Sequence, residues 1–473
     1  MSVTKKIAHN TLIQYIGKIA TTILGIFVVA LMTRYLGKDG FGQYITVTAF
    51  LAFFGIIVDF GLSLTATRTV GKPGLNVDKY LSNMMTLRII SSFVFMGLAP
   101  LVVWFFPYAI EVKLGVLIVT WSFFFISLNN ILASVFQKEI KMFIYSIAEV
   151  AGRIVLLSGI AIAMYLKLDI YFIFAMITAG SFTHMIISFL AARKYVKFRF
   201  AFDMNTWKAI FKKSWPIAIS ISCNLLYLKT DTIILSLVRP EADVGLYGAS
   251  YRVIDILTML PSLFMGLVLP IFTGYFVQKH WYKVRSLMQM AFDAMVVIAL
   301  PIVLGTMVIG RKIMILIAGS EFAISGDILK LLIWAVAAIF MGTLFGYLIV
   351  GINKQKKTIW GYLSVAVVSL IGYIIFIPIY GYWAAAAITV GSEALIAIIT
   401  AIVVSRTVKF FPSLHILGKA LAAALIMAGV LYVLRDLNVI LLLLIAMVIY
   451  FGLIILFRAV KKETIKELIS LKS

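Results

Sequence analysis

The feature that most constrains this chain is a series of fourteen apolar stretches, each long enough to cross a lipid bilayer. A hydrocarbon core about 30 Å thick needs roughly 20 apolar residues in a helix, and a backbone in lipid must satisfy its own hydrogen bonds. With 63% hydrophobic and only 13% charged residues, the pattern predicts an all-α membrane protein with about 14 transmembrane helices. We predict spans at residues 11–33, 43–67, 84–106, 113–135, 147–166, 170–192, 214–238, 247–276, 289–311, 326–351, 356–377, 382–404, 416–434 and 438–457.

The basic residues of the connecting segments alternate between the two sides of the membrane. With the N-terminus in the cytoplasm, the cytoplasmic tails, loops and helix ends hold 31 of the 42 Lys and Arg residues, and such an excess marks the cytoplasmic side. We therefore predict that both termini are cytoplasmic and that helix 1 is retained, because no cleavage pattern follows the basic start. The net charge of +23 is interpreted as topology and contact with membrane lipids, not with nucleic acid.

The longest basic loop, residues 193–213, interleaves aromatic with basic residues. We interpret it as an interfacial helix that joins two halves of the chain, not as an RNA site. The one cysteine, Cys223, excludes an internal disulfide and is interpreted as a small core residue.

A weak internal repeat divides the chain. Gly42 and Tyr44 open helix 2, and Gly245 and Tyr247 open helix 8, at an offset of 203 residues. We expect these glycines to give their turns a positive φ and the tyrosines to lie at the membrane interface. The repeat predicts two six-helix lobes related by a pseudo-two-fold axis, with two extra helices. They are an N-lobe with helices 1–6 (residues 1–200), a C-lobe with helices 7–12 (residues 201–410), and helices 13 and 14 with a basic cytoplasmic tail (residues 411–473).

Several short motifs, in order along the chain, resemble those of a known family. The chain resembles the polysaccharide and O-antigen flippases, whose superfamily also contains lipid II flippases and multidrug and toxic compound extrusion transporters. The motifs are Leu36-Gly-x-x-Gly-Phe-Gly-Gln-Tyr44, Asp59-Phe-Gly-Leu with Arg68, Pro216, Asp231, Gly245-x-Tyr247 with Arg252, Gly319-Ser-Glu-Phe322 and Gly351-x-Asn-Lys354.

This resemblance implies a flippase that moves undecaprenyl-pyrophosphate-linked oligosaccharide across the bacterial cytoplasmic membrane by alternating access. Its partners would be the lipid-linked oligosaccharide, membrane lipids and a polysaccharide polymerase, and the protein would be a monomer. It would use no cofactor beyond H⁺ or Na⁺ as a coupling ion. Such a substrate needs a wet cationic cavity, so ionisable residues within spans are the candidates for function.

Helix 1 carries the first cavity candidates. Asn10, Gln14 and Lys18 recur at intervals of four and so form one stripe. A polar stripe facing lipid is costly, so we expect it to face the cavity, with Lys18 binding an anion; the alternative is that Lys18 extends to the cytoplasmic interface.

Arg252 and Arg88 are the other basic candidates for contact with pyrophosphate. Arg252 has an alternative partner in Asp255, three residues on, and Arg88 an alternative role as an interfacial anchor.

Asp231, within helix 7, has no obvious local partner in the sequence. It is a candidate to bind a proton or Na⁺, with a salt bridge to a neighbouring helix as the alternative. The resemblance implies a sodium site at a similar position in lipid II flippases, where an acid on helix 11 completes it. Helix 11 has no acid here, so Glu393 on helix 12 is the substitute.

The remaining ionisable residues favour structural roles. We expect Asp59 and Arg68 to form a gate or salt bridge, Glu149 to pair with Arg153 four residues on, and His184 to be a bonded core or interface residue. No sequence motif supports ATP-driven transport, metal binding or catalysis. The alternatives are a drug and cation antiporter, which would have an acidic cavity, a lipid II flippase of the same superfamily, and a membrane enzyme, which would have a long outer loop or a soluble catalytic domain.

Overall fold

The structure, a computed structural model, describes residues 3–71 and 74–457, and of residues 3–12, 15, 216–217 and 219–228 it describes the backbone alone. The predicted roles of the Asn10, Pro216 and Cys223 side chains, and of most of the C-terminal tail, lie outside the described part. The described residues form fifteen α-helices and contain no strand. The helices are α1 (Val3–Asp59), α2 (Leu62–Val70), α3 (Val77–Val102), α4 (Ile110–Lys138), α5 (Met142–Leu166), α6 (Ile170–Ala192), α7 (Met204–Val238), α8 (Glu241–Leu257), α9 (Met259–Val277), α10 (Trp281–Ala318), α11 (Ala323–Gly351), α12 (Ile359–Tyr380), α13 (Tyr382–Val408), α14 (His415–Val433) and α15 (Val439–Leu456).

The all-α membrane fold is confirmed. Twelve helical segments of the described chain are long and apolar enough to cross a membrane. The first of them, Ile16–Asp59, has 44 residues and overlaps both of the first two predicted spans, which are separated by a backbone break at Gly37 with φ 64°. The predicted seventh span lies within α7, so each of the fourteen predicted spans overlaps a helix.

Two predicted spans are each broken into two helices. Span 43–67 is interrupted where Phe60 and Gly61 adopt positive φ values of 38° and 70°, which end α1 and start α2. Span 247–276 is interrupted at Thr258, between α8 and α9. Pro261 explains this second break, because its ring nitrogen cannot donate to the carbonyl of Leu257.

The chain divides into two compact units, Met1–Gly245 and Leu246–Ser473. In the first unit, one apolar core joins α2, α3, α4 and the start of α7, and a second joins the later part of α1 to α3, α4 and α6. In the second unit, α11 is the central helix and packs against α9, α10 and α13. The predicted lobe boundaries after residues 200 and 410 stay predictions.

The basic loop is not an interfacial helix along its whole length. Residues 196–203 are not helical, and the helical part, from Met204, continues without interruption into α7. We call residues 197–203 the strap. Its backbone bonds to side chains of α3, which replace the hydrogen bonds that a helix would have made within the loop.

Candidate functional site

Lys18 and Glu149 form an ion pair between α1 and α5. Lys18 Nζ lies 3.8 Å from Glu149 Oε1, and the two side chains are 44% and 22% exposed. Gln14, one turn earlier, is also exposed, so the described part of the predicted stripe is open on one side. A separation of 3.8 Å is too long for a strong charge-assisted hydrogen bond, and the ammonium is therefore accessible to another anion.

Glu149 lies within a small cluster of polar and ionisable side chains. The structure pairs it with Lys18 and not with the predicted partner Arg153. On the neighbouring helix α6, the His184 ring meets the Tyr145 ring edge-on at 4.8 Å. His184 Nε2 is buried and has no hydrogen-bond partner among the described residues, so the prediction of a bonded histidine is wrong for this atom.

Arg88, a predicted ligand of pyrophosphate, is fully buried. Its guanidinium donates to Asp59 Oδ1 at 2.7 Å, to Ser63 Oγ at 2.7 Å and to the Val58 carbonyl at 3.0 Å. The Ser63 hydroxyl also donates to the Asp59 carboxylate. These bonds hold together the end of α1 and the start of α2, so in this structure Arg88 stabilises the break between the two helices.

Asp59 therefore pairs with Arg88 and not with Arg68, which is exposed. Sequence spacing pointed to Arg68 because it lies nine residues away, whereas Arg88 is 29 residues away and reaches Asp59 only in the folded chain. A role of this region as a gate stays a prediction.

The two acids predicted to couple transport to ions are both buried. Asp231 is 1% exposed, and its Oδ1 accepts hydrogen bonds from the backbone N–H of Thr232 at 2.6 Å and from its hydroxyl at 3.2 Å. The local partner that the sequence did not suggest is thus the next residue. Glu393 is 6% exposed and lies on α13, in the second unit.

Arg252 and Asp255 form the predicted pair on α8. The distance from Arg252 Nη1 to Asp255 Oδ2 is 3.6 Å, and both side chains are partly exposed. This geometry confirms the pairing that the spacing of three residues suggested, and it leaves contact of Arg252 with a substrate as a prediction.

The repeated glycines meet each other. A Cβ atom on Gly42 would lie 1.9 Å from the Glu241 carbonyl oxygen, and a Cβ atom on Gly245 would lie 2.0 Å from the Lys38 carbonyl oxygen. The two contacts are reciprocal, since each glycine touches the carbonyl four residues before the other. Residues 38 and 42 correspond to residues 241 and 245 at the repeat offset of 203, so the internal repeat is present in the packing.

The expected role of these glycines in turns is wrong. Both lie within helices, and Gly37 supplies the positive φ of the first repeat instead. What the two positions require is the lack of a side chain where two backbones cross. Tyr247 is fully buried and Tyr44 packs against the second core of the first unit; a position of the two tyrosines at the membrane interface stays a prediction.

A polar cavity of about 330 Å³ lies near this crossing, and no sequence motif indicated it. It is lined by residues from α1, from the loop before α4, from the end of α7 and from the start of α8. Tyr108 and Ser236 join their hydroxyls across it at 2.9 Å, and Gln43 donates to Glu241 at 2.7 Å. These four residues belong to distant parts of the sequence, so spacing could not group them.

The fold is shared with solved transporters. The lipid II flippase MurJ, in an inward closed conformation, superposes with a TM-score of 0.78 at 17% identity, covering 94% of this chain and 99% of that one. An inward-facing multidrug resistance transporter of the MATE family superposes with a TM-score of 0.68 at 14% identity, covering 82% and 94%. The molecule therefore has the helical fold of these two transporters, and the twelve apolar helical segments of its described part make it a multi-span membrane protein.

Residues 7–276, more than half of the sequence, match the polysaccharide biosynthesis protein family, and the chain belongs to that family. A probable low-salt glycan biosynthesis flippase of Haloferax volcanii is 22% identical over 98% of this chain and 99% of its own length. A putative O-antigen transporter of Shigella dysenteriae is 22% identical over 82% of this chain and 98% of its own length.

Proposed function

We propose that this protein is a flippase for lipid-linked oligosaccharide, the precursor of a surface polysaccharide or glycan. In the finer form of the proposal, the substrate is joined to undecaprenyl pyrophosphate and crosses the bacterial cytoplasmic membrane by alternating access, while both termini stay in the cytoplasm. Membership of the polysaccharide biosynthesis family and similarity to relatives named as a glycan flippase and an O-antigen transporter support this function.

The observation that carries the proposal is the open ion pair of Lys18. Lys18 lies seven residues into the first predicted span, which is roughly 10 Å of helix rise, and its side chain is still 44% exposed. A charged group at that depth is costly against lipid and is expected to face a wet cavity. The pyrophosphate would replace the Glu149 carboxylate as the partner of Lys18 and leave when that carboxylate returns.

The same pair separates this function from the alternatives. A drug and cation antiporter would offer an accessible carboxylate to a cationic substrate, whereas here the more exposed member of the pair is the ammonium. Transport by our proposal involves no chemical conversion. Asp231 and Glu393 are the proposed sites for coupling to H⁺ or Na⁺, and a monomer that works beside a polysaccharide polymerase is the proposed assembly.

The test is transport of undecaprenyl-pyrophosphate-linked oligosaccharide by purified protein in liposomes. Lys18→Ala should reduce the flipping rate at least about tenfold, because the anion loses its partner, and Lys18→Arg should keep part of the rate because the charge remains. Lys138→Ala is the matched control, since it removes an exposed charge paired with the adjacent Glu139, and it should transport like the wild type.

Folding of each variant is checked by monodispersity and melting temperature. A well-folded Lys18→Ala protein that flips at the wild-type rate would remove Lys18 from the mechanism. A wild-type protein that flips none of the lipid-linked oligosaccharides offered would count against the function itself.

A further inference from the structure

The strap is fastened to α3 at every second residue. The backbone N–H groups of residues 197, 199, 201 and 203 donate to four side chains at the start of α3. These acceptors are Asp78 (3.2 Å), Ser82 (3.1 Å), Thr86 (3.1 Å) and Asn83 (2.9 Å), respectively. The Ser82 hydroxyl also donates back to the Lys197 carbonyl at 3.3 Å.

The spacing of the two segments explains this match. Asp78, Ser82 and Thr86 lie four residues apart on one face of α3, about 6 Å per step. Two residues of extended chain cover about 6.6 Å, so alternate N–H groups of the strap meet successive turns of the helix. The strap thus has a defined inner edge that is bonded to protein.

An ion pair secures the end of the strap. Lys79 Nζ lies 2.5 Å from Asp203 Oδ2, and Asp203 also caps α7 by accepting from the N–H groups of Asn205 and Thr206. Asp203 is the one acidic residue among residues 193–213, which contain seven Lys and Arg residues. Because its carboxylate is bound by Lys79, it does not neutralise the basic residues around it.

The outer side of the strap is apolar and basic at once. Phe200 and Phe202 are 75% and 70% exposed, and Met204 beyond them is 61% exposed. Lys197 and Arg199, which precede the two phenylalanines in the strap, are exposed as well. Large apolar side chains of this kind, interleaved with basic ones, suit the boundary between acyl chains and headgroups, where the basic groups reach phosphates.

The position of the strap along α3 agrees with that boundary. The apolar span of α3 is predicted to begin near residue 84, and the strap bonds to residues 78–86. It therefore runs where α3 enters the membrane, on the side that the distribution of basic residues predicts to be cytoplasmic.

We propose that the strap is a binding site for anionic phospholipid of the cytoplasmic leaflet, with Phe200 and Phe202 inserted at the acyl boundary and Lys197 and Arg199 on headgroup phosphates. The complementary charge decides the partner, since seven basic residues lie in and around the strap, within residues 193–213, and the one acid of that range is already bound. The site is independent of the transport cycle. If the lipid-binding proposal failed, the proposed function would be unaffected.

The experiment measures lipid retention by the full-length protein in detergent. Phosphatidylglycerol and phosphatidylcholine with identical acyl chains are offered together, and native mass spectrometry gives the ratio of the two lipids retained. The wild type should prefer phosphatidylglycerol. The strap variant, whose substitutions neutralise four exposed charges, should lose that preference about tenfold or more. It carries Lys197→Gln and Arg199→Gln in the strap and Lys194→Gln and Lys208→Gln beside it.

A matched variant removes four exposed charges elsewhere and should keep more than half of the wild-type preference. It carries Lys279→Gln, Lys283→Gln, Arg285→Gln and Lys356→Gln. The pair Phe200→Ser and Phe202→Ser should reduce retention of both lipids without changing their ratio, because the rings contact acyl chains and not headgroups.

Three results would overturn the proposal. They are equal retention of the two lipids by the wild type, an equal loss of preference in the strap variant and the matched variant, and displacement of phosphatidylglycerol by millimolar inorganic phosphate. The last would indicate a site for free anions in place of a bilayer surface.

Discussion

At the scale of single residues, Arg88 shows how the fold makes a buried charge tolerable. A fully buried guanidinium is costly unless a counter-charge and further hydrogen-bond partners compensate for the lost water. Arg88 has Asp59 as its counter-charge and the Ser63 hydroxyl and Val58 carbonyl as further acceptors. All three belong to the end of α1 and the start of α2, so the charge secures the break between these two helices.

Removing this guanidinium should therefore destabilise the protein. Arg88→Ala leaves the Asp59 carboxylate unpaired, and we expect a loss of about 2–4 kcal/mol, towards the lower end because Asp59 is 22% exposed. Arg88→Lys should lose less, since the charge stays but the forked geometry does not. Thermal unfolding in detergent measures the change.

Arg68→Ala is the control for that series, because Arg68 is exposed, and it should stay within about 0.5 kcal/mol of the wild type. Equal stability of Arg88→Ala and Arg68→Ala would show that the buried bonds contribute nothing.

Partner choice is the part of the site that the sequence could not supply. Spacing rules recognise pairs three or four residues apart on one helix, and they correctly paired Arg252 with Asp255. The partners of Lys18 and Arg88 lie 131 and 29 residues away, on other helices, and depend on how those helices pack. The same limit explains why Glu149 was matched with its helical neighbour Arg153.

At the scale of elements, the crossing of α1 and α8 depends on two missing side chains. Gly42 and Gly245 each lie against a backbone carbonyl of the other helix. A Cβ atom added to either glycine would overlap the carbonyl oxygen. Backbone atoms cannot rotate away as a flexible side chain does, so an added methyl group has to push the helices apart.

Gly42→Ala and Gly245→Ala should each cost about 2 kcal/mol or more, as expected of overpacking. The double variant should cost less than the sum, because one separation of the helices relieves both contacts. Gly25→Ala is the control, since nothing lies within 4 Å of its Cβ position. Thermal unfolding of the four proteins measures the coupling, and strict additivity would contradict the reciprocal contact.

The attachment of the strap should respond to acid. The hydrogen bond from Lys79 lowers the pKa of Asp203 from 3.8 to about 2, so the carboxylate is more acidic in the folded protein. The stability that this carboxylate gives to the attachment of the strap is therefore complete above about pH 4 and is lost as the pH falls towards 2. Hydrogen exchange at the Ala201 amide, corrected for the intrinsic rate, should be constant from pH 7 to 4.5 and faster below pH 4.

In Asp203→Asn, the Ala201 amide should exchange faster at neutral pH. The acceleration below pH 4 that comes from protonation of Asp203 should be absent. An unchanged protection factor in that variant would show that the bonds to α3 hold the strap without the ion pair.

At the scale of the whole molecule, hydropathy alone placed each of the fourteen predicted spans on a helix, because the bilayer imposes one length and one composition on the segments that cross it. The breaks at Phe60–Gly61 and Thr258 were not predicted, since an averaged window does not register two backbone angles or the missing N–H of Pro261. The strap was also mistaken for a helix. Its backbone is held by hydrogen bonds to side chains of α3, and the strap's own sequence does not reveal these bonds.

The orientation of the chain can be tested with cysteine labelling. After the chain's one cysteine is replaced by serine, single exposed residues are changed to cysteine and labelled from either side of the membrane. The distribution of basic residues predicts cytoplasmic labelling for Lys138→Cys, Lys279→Cys and Lys356→Cys, and external labelling for Lys167→Cys and Arg435→Cys. Labelling of Lys138→Cys and Lys279→Cys from opposite sides would mean that the number of spans between them is odd.

The contact between Gly42 and Gly245 also limits how this protein can evolve. When a side chain is too large for its site, a smaller residue at the facing position usually restores the fit, and lineages drift through such paired exchanges. Here the facing position is itself glycine, and the obstacle is a main-chain carbonyl, so no smaller residue exists on either side. Suppressors of a defect at one glycine would have to arise at a distance, in residues that reset the whole crossing, and the two positions should resist change together.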